Sequence, residues 1–227
     1  MARGLGQERG TDFTEGQMAH AMTNGVLVEA FGPRGGAGLR TRQAVLVLAG
    51  IAALVLAAKI RVPMWPVPAT LQTLAVLMIG ATYGLRLGVV TLLGYLALGA
   101  GFAAHATLVG GAPGWTPFTG SAADLAYFAG PTMGYLVGFV AAAAVMGALA
   151  RRGWDRSAGG MAGAMLIGNA VIYAFGLPWM AWLFAADKGM AWVMQYGMGN
   201  FLVGDALKLA VAAMVVPALW AWVKRGR

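Results

Sequence analysis

Several reactive and metal-binding side chains are scarce or missing in this chain of 227 residues. It has no cysteine, which excludes disulfide bonds, thiolate metal sites and cysteine nucleophiles within it. Its two histidines, His20 and His105, and its scattered carboxylates are too few and too far apart in sequence to form a zinc or di-iron centre. We therefore predict no metal site and no bound cofactor.

Charged residues are also scarce, at 11% of the chain, about half of the roughly 25% found in soluble domains. Apolar residues make up 59%, and apolar stretches longer than about 17 residues recur, each long enough to cross a hydrocarbon core of about 30 Å. A water-soluble fold of this size could not bury so much apolar surface. The composition indicates an all-α, polytopic integral membrane protein.

We predict six transmembrane helices in one bundle, which form a single membrane domain over residues 40–227. The six spans are placed at about 43–60, 69–84, 86–104, 130–150, 161–185 and 198–223. Residues 1–39 are rich in glycine and polar residues and have no sustained apolar periodicity, so we expect a disordered, polar cytoplasmic tail.

The basic residues predict the orientation. The net charge of +8 comes from short clusters at the ends of apolar segments rather than from one polar face, which argues against a nucleic acid partner. With both termini in the cytoplasm, most arginines lie inside, and only Lys59, Arg61 and Lys188 fall in outer loops. We expect a bacterial inner membrane location, with the arginine-free segment 105–129 forming a folded cap outside.

The most informative feature is the pair Asp205 and Lys208 inside the last apolar segment. An ionised group at membrane depth costs at least about 2.5 to 3.5 kcal/mol, so the two must face each other or a polar cavity. Because they are three residues apart on a helix, both project from the same face. They are candidates for substrate binding, and the alternative is a structural pair that neutralises itself.

Two further groups of polar residues are candidates. Asn169 and Tyr173 lie on one face of the fifth span, where an amide could recognise a urea or amide group of a ligand. Their alternative role is an interhelical hydrogen bond. Thr70 and Gln72 follow the rigid sequence Pro66-Val67-Pro68, where a broken helix entry would line a cavity, unless they cap a helix.

Ala49, Ala53 and Ala57 recur at four-residue spacing in the first span. A smooth ridge of this kind permits close approach of another helix. It is a candidate docking face for a partner helix, and packing within the bundle is the alternative.

Four segments together resemble the BioY family, the biotin-binding subunits of energy-coupling-factor transporters. They are PVPATLQTL from Pro66, GPTMGYLVGF from Gly130, GNAVIYAFGLPWM from Gly168 and GDALKLAVAA from Gly204. Each motif alone is weak, but the four occur in the expected order across the whole membrane portion. The first 39 residues lie outside the resemblance.

The resemblance implies a six-helix protein that captures biotin and associates with a coupling transmembrane subunit and two ATP-binding-cassette ATPases. The chain has no Gly-x-x-x-x-Gly-Lys-Ser/Thr sequence, so ATP hydrolysis would occur on the partners. The resemblance also implies that Asp205 and Lys208 contact biotin and that the alanine ridge faces the coupling subunit. Thr132 and Tyr135, in the second of the four segments, join the substrate-binding candidates.

Three other functions remain open at this point. The chain could capture a different vitamin, since architecture alone does not define a ligand. It could be a biotin facilitator that works alone, or an intramembrane enzyme that uses Asp205 with Lys208 for acid–base chemistry. All ligand-binding hypotheses require that this pair line a cavity, and a pair sealed in a dry interior would refute them.

Overall fold

In a computed structural model of the protein, residues 25–31, 36–110, 115–119 and 125–225 are described. Six α-helices lie within these ranges: α1 (Gly36–Lys59), α2 (Gln72–Val109), α3 (Met133–Arg151), α4 (Ala158–Lys188), α5 (Met190–Gly197) and α6 (Leu202–Arg225). A two-stranded antiparallel hairpin, β1 (Arg61–Val62) and β2 (Ala69–Thr70), connects α1 to α2. Most of the predicted tail, residues 1–24 and 32–35, lies outside the described residues.

Five helical stretches are long and apolar enough to cross a membrane: α1, α2, α3, α4 and Met190–Arg225, which contains α5 and α6. The predicted all-α membrane fold is confirmed. The predicted second and third spans both fall in α2, which is 38 residues long and broken at Gly84. There φ is 79° and ψ is 175°, a conformation that glycine adopts readily. The exact count of six spans stays a prediction.

Helix α3 lies at the centre of the bundle. In its apolar 18-residue segment, 61% of the residues are buried inside the bundle, against 28–33% in the corresponding segments of the other four stretches. Glycines allow its close approach to α2: a Cβ added at Gly147 would lie 2.2 Å from the backbone nitrogen of Leu85, and one at Gly80 would lie 2.7 Å from the carbonyl of Ala143. The small residues of α2 and α3 therefore set the most extensive helix contact in the molecule.

Residues 25–31 pack against the bundle rather than forming part of a disordered tail. Val26 is fully buried and lies beneath the break at Gly84, where an added Cβ would come within 3.1 Å of its side chain. Glu29 accepts a hydrogen bond from the Val26 backbone at 3.2 Å and pairs with Arg151 at 2.8 Å. An apolar side chain fits the space under the α2 break, and the composition of the segment did not indicate this.

The first helix also begins at Gly36, before the predicted domain start at residue 40.

The connection between α3 and α4 is tied to the end of α6. Asp155 is 1% exposed, and its carboxylate accepts a hydrogen bond from the Trp220 indole nitrogen at 2.5 Å. Burial raises the pKa of Asp155. The Arg156 guanidinium lies 4.8 Å from the Trp220 ring centre and also donates to the Gly25 carbonyl. We call this side of the molecule, with Arg42, Arg86, Arg151 and Lys224, the arginine-rich end.

The opposite side, the hairpin end, carries β1, β2 and residues 115–119. Lys59 donates to the carbonyls of Thr116 at 2.5 Å and Phe118 at 2.7 Å, and Arg61 donates to the carbonyl of Thr119. The Phe118 ring stacks on Tyr127 with centroids 4.8 Å apart. Residues 115–119 of the predicted cap are therefore packed against the bundle, while residues 111–114 and 120–124 lie outside the description.

Candidate functional site

One pocket lies among α2, α3, α4 and α6, on the side of the hairpin end. All eight sequence-predicted substrate-binding residues line it: Thr70, Gln72, Thr132, Tyr135, Asn169, Tyr173, Asp205 and Lys208. They come from β2 and four helices that are far apart in sequence. Whether they contact a ligand stays a prediction, but the fold brings all of them to one place.

Asp205 lies in the first turn of α6, where the N-terminal end of the helix dipole favours a negative charge. One of its carboxylate oxygens accepts a hydrogen bond from the Tyr173 hydroxyl, and the other lies 3.1 Å from the Lys208 ammonium. Lys208 also donates to the Thr73 hydroxyl at 2.7 Å. The side chains of Asp205 and Lys208 are 9% and 14% exposed. The pair therefore faces the pocket and is not sealed in a dry interior.

The pocket is narrow, with a volume of about 40 Å³, well below the roughly 300–1,000 Å³ of ligand pockets. The hydrogen bonds of Lys208 to Asp205 and Thr73, all three of which line the pocket, satisfy polar groups that would otherwise be buried unpaired. A ligand that enters must replace these bonds with its own.

Asn169 differs from the other polar residues of the pocket. Its side chain is partly buried, and no hydrogen bond to it is found within the described part of the chain. The interhelical hydrogen bond that sequence analysis left open is therefore not observed there. Tyr173, in contrast, is engaged by Asp205. The Asn169 amide is the polar group most available to a ligand.

Gln72 and Thr70 connect the pocket to the hairpin end. Gln72 is 2% exposed, and its amide donates to the Tyr95 hydroxyl at 2.7 Å, which in turn donates to the Pro117 carbonyl at 3.2 Å. The Thr70 hydroxyl accepts a hydrogen bond from the Gln72 backbone at 3.2 Å in the turn before α2, but the N-cap residue of that helix is Leu71, so the capping alternative is not observed for Thr70.

Tyr135 and Thr132 form the α3 side of the pocket. The Tyr135 hydroxyl donates to the Gly197 carbonyl at 2.7 Å, and its ring meets Tyr173 edge to face at 6.5 Å. Because its hydroxyl is engaged by the protein, Tyr135 offers the pocket mainly its ring. The two tyrosines form an aromatic wall beside Asp205.

Sequence analysis missed several residues that line the pocket: Thr119, Phe139, Ile172 and Phe201. Three of them follow from helical spacing, since Phe139 is four residues after Tyr135, Ile172 is three after Asn169 and Phe201 is four before Asp205. Thr119 has no such signal because it lies in a loop. In the structure Arg61 donates to the Thr119 carbonyl, and the Thr119 hydroxyl lies 3.4 Å from the Tyr127 hydroxyl.

The alanine ridge divides in the structure. Ala49 and Ala53 are exposed on α1, whereas Ala57 is buried within the bundle. The first two positions are open to another helix, and the third packs internally. The docking role stays a prediction for Ala49 and Ala53, while the internal-packing alternative describes Ala57.

Comparison with known proteins adds independent findings. The model of the BioY family matches residues 28–225. A biotin transporter BioY of Rhizobium etli is 34% identical over 66% of this chain and 76% of its own length. A biotin transporter BioY of Thermotoga maritima is 33% identical over 75% of this chain and 92% of its own length.

A solved structure of the S-component for biotin from an ECF-type ABC transporter has a similar fold. The TM-score is 0.63 at 18% sequence identity, over 83% of this chain and 95% of that one. At this identity the likeness concerns the fold. The family match begins at residue 28, within the segment that packs beneath Gly84, so more of the N-terminal region belongs to the resemblance than the motifs indicated.

Proposed function

The chain belongs to the BioY family, and from this premise we propose that it binds biotin as the substrate-binding subunit of an energy-coupling-factor transporter. The observation that carries the proposal is that Asp205, Lys208 and Asn169 face one pocket. A ligand that has a polar group at each end and an apolar body between them requires polar partners of this kind, and the pocket offers a carboxylate, an ammonium and an available amide.

The chemistry of biotin matches these groups. Its ureido ring has N–H groups that can donate hydrogen bonds to the Asp205 carboxylate or the Asn169 carbonyl. The ring also has a C=O that can accept a hydrogen bond from the Asn169 amide nitrogen. Its carboxylate requires a cation, and Lys208 is the one lysine of the pocket lining. The aromatic and aliphatic wall, with Tyr135, suits the apolar ring and chain.

The proposed partners are a coupling transmembrane subunit and two ATP-binding-cassette ATPases, and ATP hydrolysis takes place on those partners. Exposed Ala49 and Ala53 on α1 form the proposed contact with the coupling subunit. The chain itself acts as a transport subunit rather than an enzyme. We place it in a bacterial inner membrane with both termini in the cytoplasm, supported by the arginines at one end of the bundle.

Equilibrium binding to the purified, full-length protein in detergent tests the ligand. We expect saturable binding of radiolabelled biotin that is displaced by unlabelled biotin and not by thiamine or riboflavin. Absence of biotin binding at micromolar concentration would reject the proposal. Displacement by another vitamin, with weaker binding of biotin, would assign the pocket to that vitamin instead.

A further inference from the structure

A second cavity, of about 730 Å³, lies at the arginine-rich end, far larger than the substrate pocket. Its walls are α1, the half of α2 that follows Gly84, the end of α6 and residues 25–30. Helix α1 packs on α2, and α6 packs on α4 and α2, but α1 and α6 make little contact with each other. The cavity is the gap that this arrangement leaves between the first and last helices. We call it the α1–α6 groove.

The groove is apolar along its length. Leu46 and Val47 of α1 face Leu87 and Val90 of α2, and Val90 is 53% exposed. These positions lie within stretches that are long and apolar enough to cross a membrane. A gap between such helices that is open to the bilayer excludes water, so hydrocarbon chains are its natural filling.

The mouth of the groove is basic. Arg42, Arg86, Arg151 and Lys224 line it, and Glu29 is the one acidic residue among the lining positions. Arg42 donates to the carbonyl of Val28 and Arg151 pairs with Glu29, so these two hold residues 25–31 in place as a wall.

Arg86 and Lys224 are in a different situation. Both are exposed, and neither makes a hydrogen bond or ion pair with any residue that the structure describes. They stand at the mouth from two sides, one on α2 and one on α6. Two unengaged cations above an apolar gap match an anionic headgroup with attached chains.

We propose that the α1–α6 groove is a binding site for an anionic phospholipid. The phosphate lies between Arg86 and Lys224, and an acyl chain fills the gap beside Leu46 and Val90. A zwitterionic lipid would fill the apolar part without gaining from the two cations. A soluble phosphate would meet the cations but gain nothing from the apolar walls, which is why the proposed ligand is a lipid.

Native mass spectrometry of the purified protein, titrated with phosphatidylglycerol or phosphatidylcholine of matched chains, tests the site. The variant is Arg86→Gln with Lys224→Gln. The control is Arg152→Gln with Arg225→Gln, which removes two charges from the same end without touching the groove lining. Biotin binding is measured on both to show that they are folded.

We expect the groove variant to bind phosphatidylglycerol roughly 10- to 30-fold more weakly, since each basic residue near a lipid surface contributes about 1 kcal/mol. The control and the phosphatidylcholine titrations should stay near the wild-type values. Equal losses in both variants would overturn the proposal in favour of general surface charge. Displacement of the lipid by inorganic phosphate would overturn the proposal in favour of a soluble anion. Equal affinity for phosphatidylglycerol and phosphatidylcholine would show that the headgroup charge plays no part, and the proposal of an anionic lipid would be wrong.

Discussion

At the scale of single residues, the acid and base of α6 were the strongest signal in the sequence because ionised groups are so costly in hydrocarbon. The structure gives them a pocket and shows that each is already engaged, Asp205 by Tyr173 and Lys208 by Thr73. These partners could not be predicted from spacing, since Thr73 is on another helix. Residue identity revealed the costly groups, and only the fold shows what offsets their cost.

Replacing either charge should weaken biotin binding. Loss of a charge-assisted hydrogen bond costs about 1.5 to 3 kcal/mol, so we expect Asp205→Asn and Lys208→Ala each to lower affinity roughly 10- to 100-fold. Asp187→Asn and Lys188→Ala, which change exposed residues at the end of α4, are the matched controls. Unchanged affinity in both pocket variants would remove the pair from the site.

A modified ligand identifies the partner of Lys208. If Lys208 pairs with the biotin carboxylate, the methyl ester should bind the wild-type protein more weakly than biotin does, and Lys208→Ala should bind both about equally. Titration calorimetry with the two ligands measures this. An ester penalty that survives in Lys208→Ala would assign the carboxylate to a different residue.

Asn169 offers a separate test, because its amide lacks a hydrogen bond among the described residues. We expect Asn169→Leu to weaken biotin binding by about 1 to 3 kcal/mol while leaving the melting temperature of the ligand-free protein almost unchanged. Tyr173→Phe, which breaks the contact with Asp205, should lower both the affinity for biotin and the melting temperature. A marked loss of melting temperature in Asn169→Leu would indicate a structural role instead.

At the scale of elements, apolar length placed the predicted spans on the observed helices, although α1 begins at Gly36 rather than at residue 43, and the boundary near residue 85 coincides with the break at Gly84. Two features escaped the sequence. The short helix Leu27–Ala30 has too few residues for a periodic pattern, and residues 115–119 are held by side chains 57 to 59 positions away. Both depend on long-range contacts, which local patterns do not encode.

Lys59 and Arg61, which sequence analysis placed in an outer loop, donate hydrogen bonds to the carbonyls of residues 116, 118 and 119. We expect Lys59→Met with Arg61→Met to loosen residues 115–119 and to speed biotin dissociation several-fold, because Thr119 lines the pocket. Hydrogen exchange of the loop and the dissociation rate are the measurements. Lys188→Met, which also removes a helix-end cation, serves as the control. Slower exchange or an unchanged rate would show that the loop does not cover the site.

At the scale of the whole molecule, the proposed function depends on coupling ATPases as partners. We expect biotin uptake from nanomolar medium to be lost in cells without coupling ATPases, and uptake that persists there would instead support a solitary facilitator.

Ala53→Leu should reduce co-purification with the coupling subunit because a larger side chain blocks close helix approach. Ala210→Leu, at an exposed alanine of α6, is the matched control.

The packing beyond the pocket carries a consequence for delivery. Leu77, Met146 and Met165 are fully buried in the bundle, and the first two meet at Gly168, next to Asn169 of the pocket. At the arginine-rich end, the Val26 side chain packs against the break in α2 at Gly84. Among the described residues, the pocket beside Asp205 and the α1–α6 groove share no lining residue. We therefore expect a captured ligand to leave on the side of the hairpin end, where it entered, and not through the packed core.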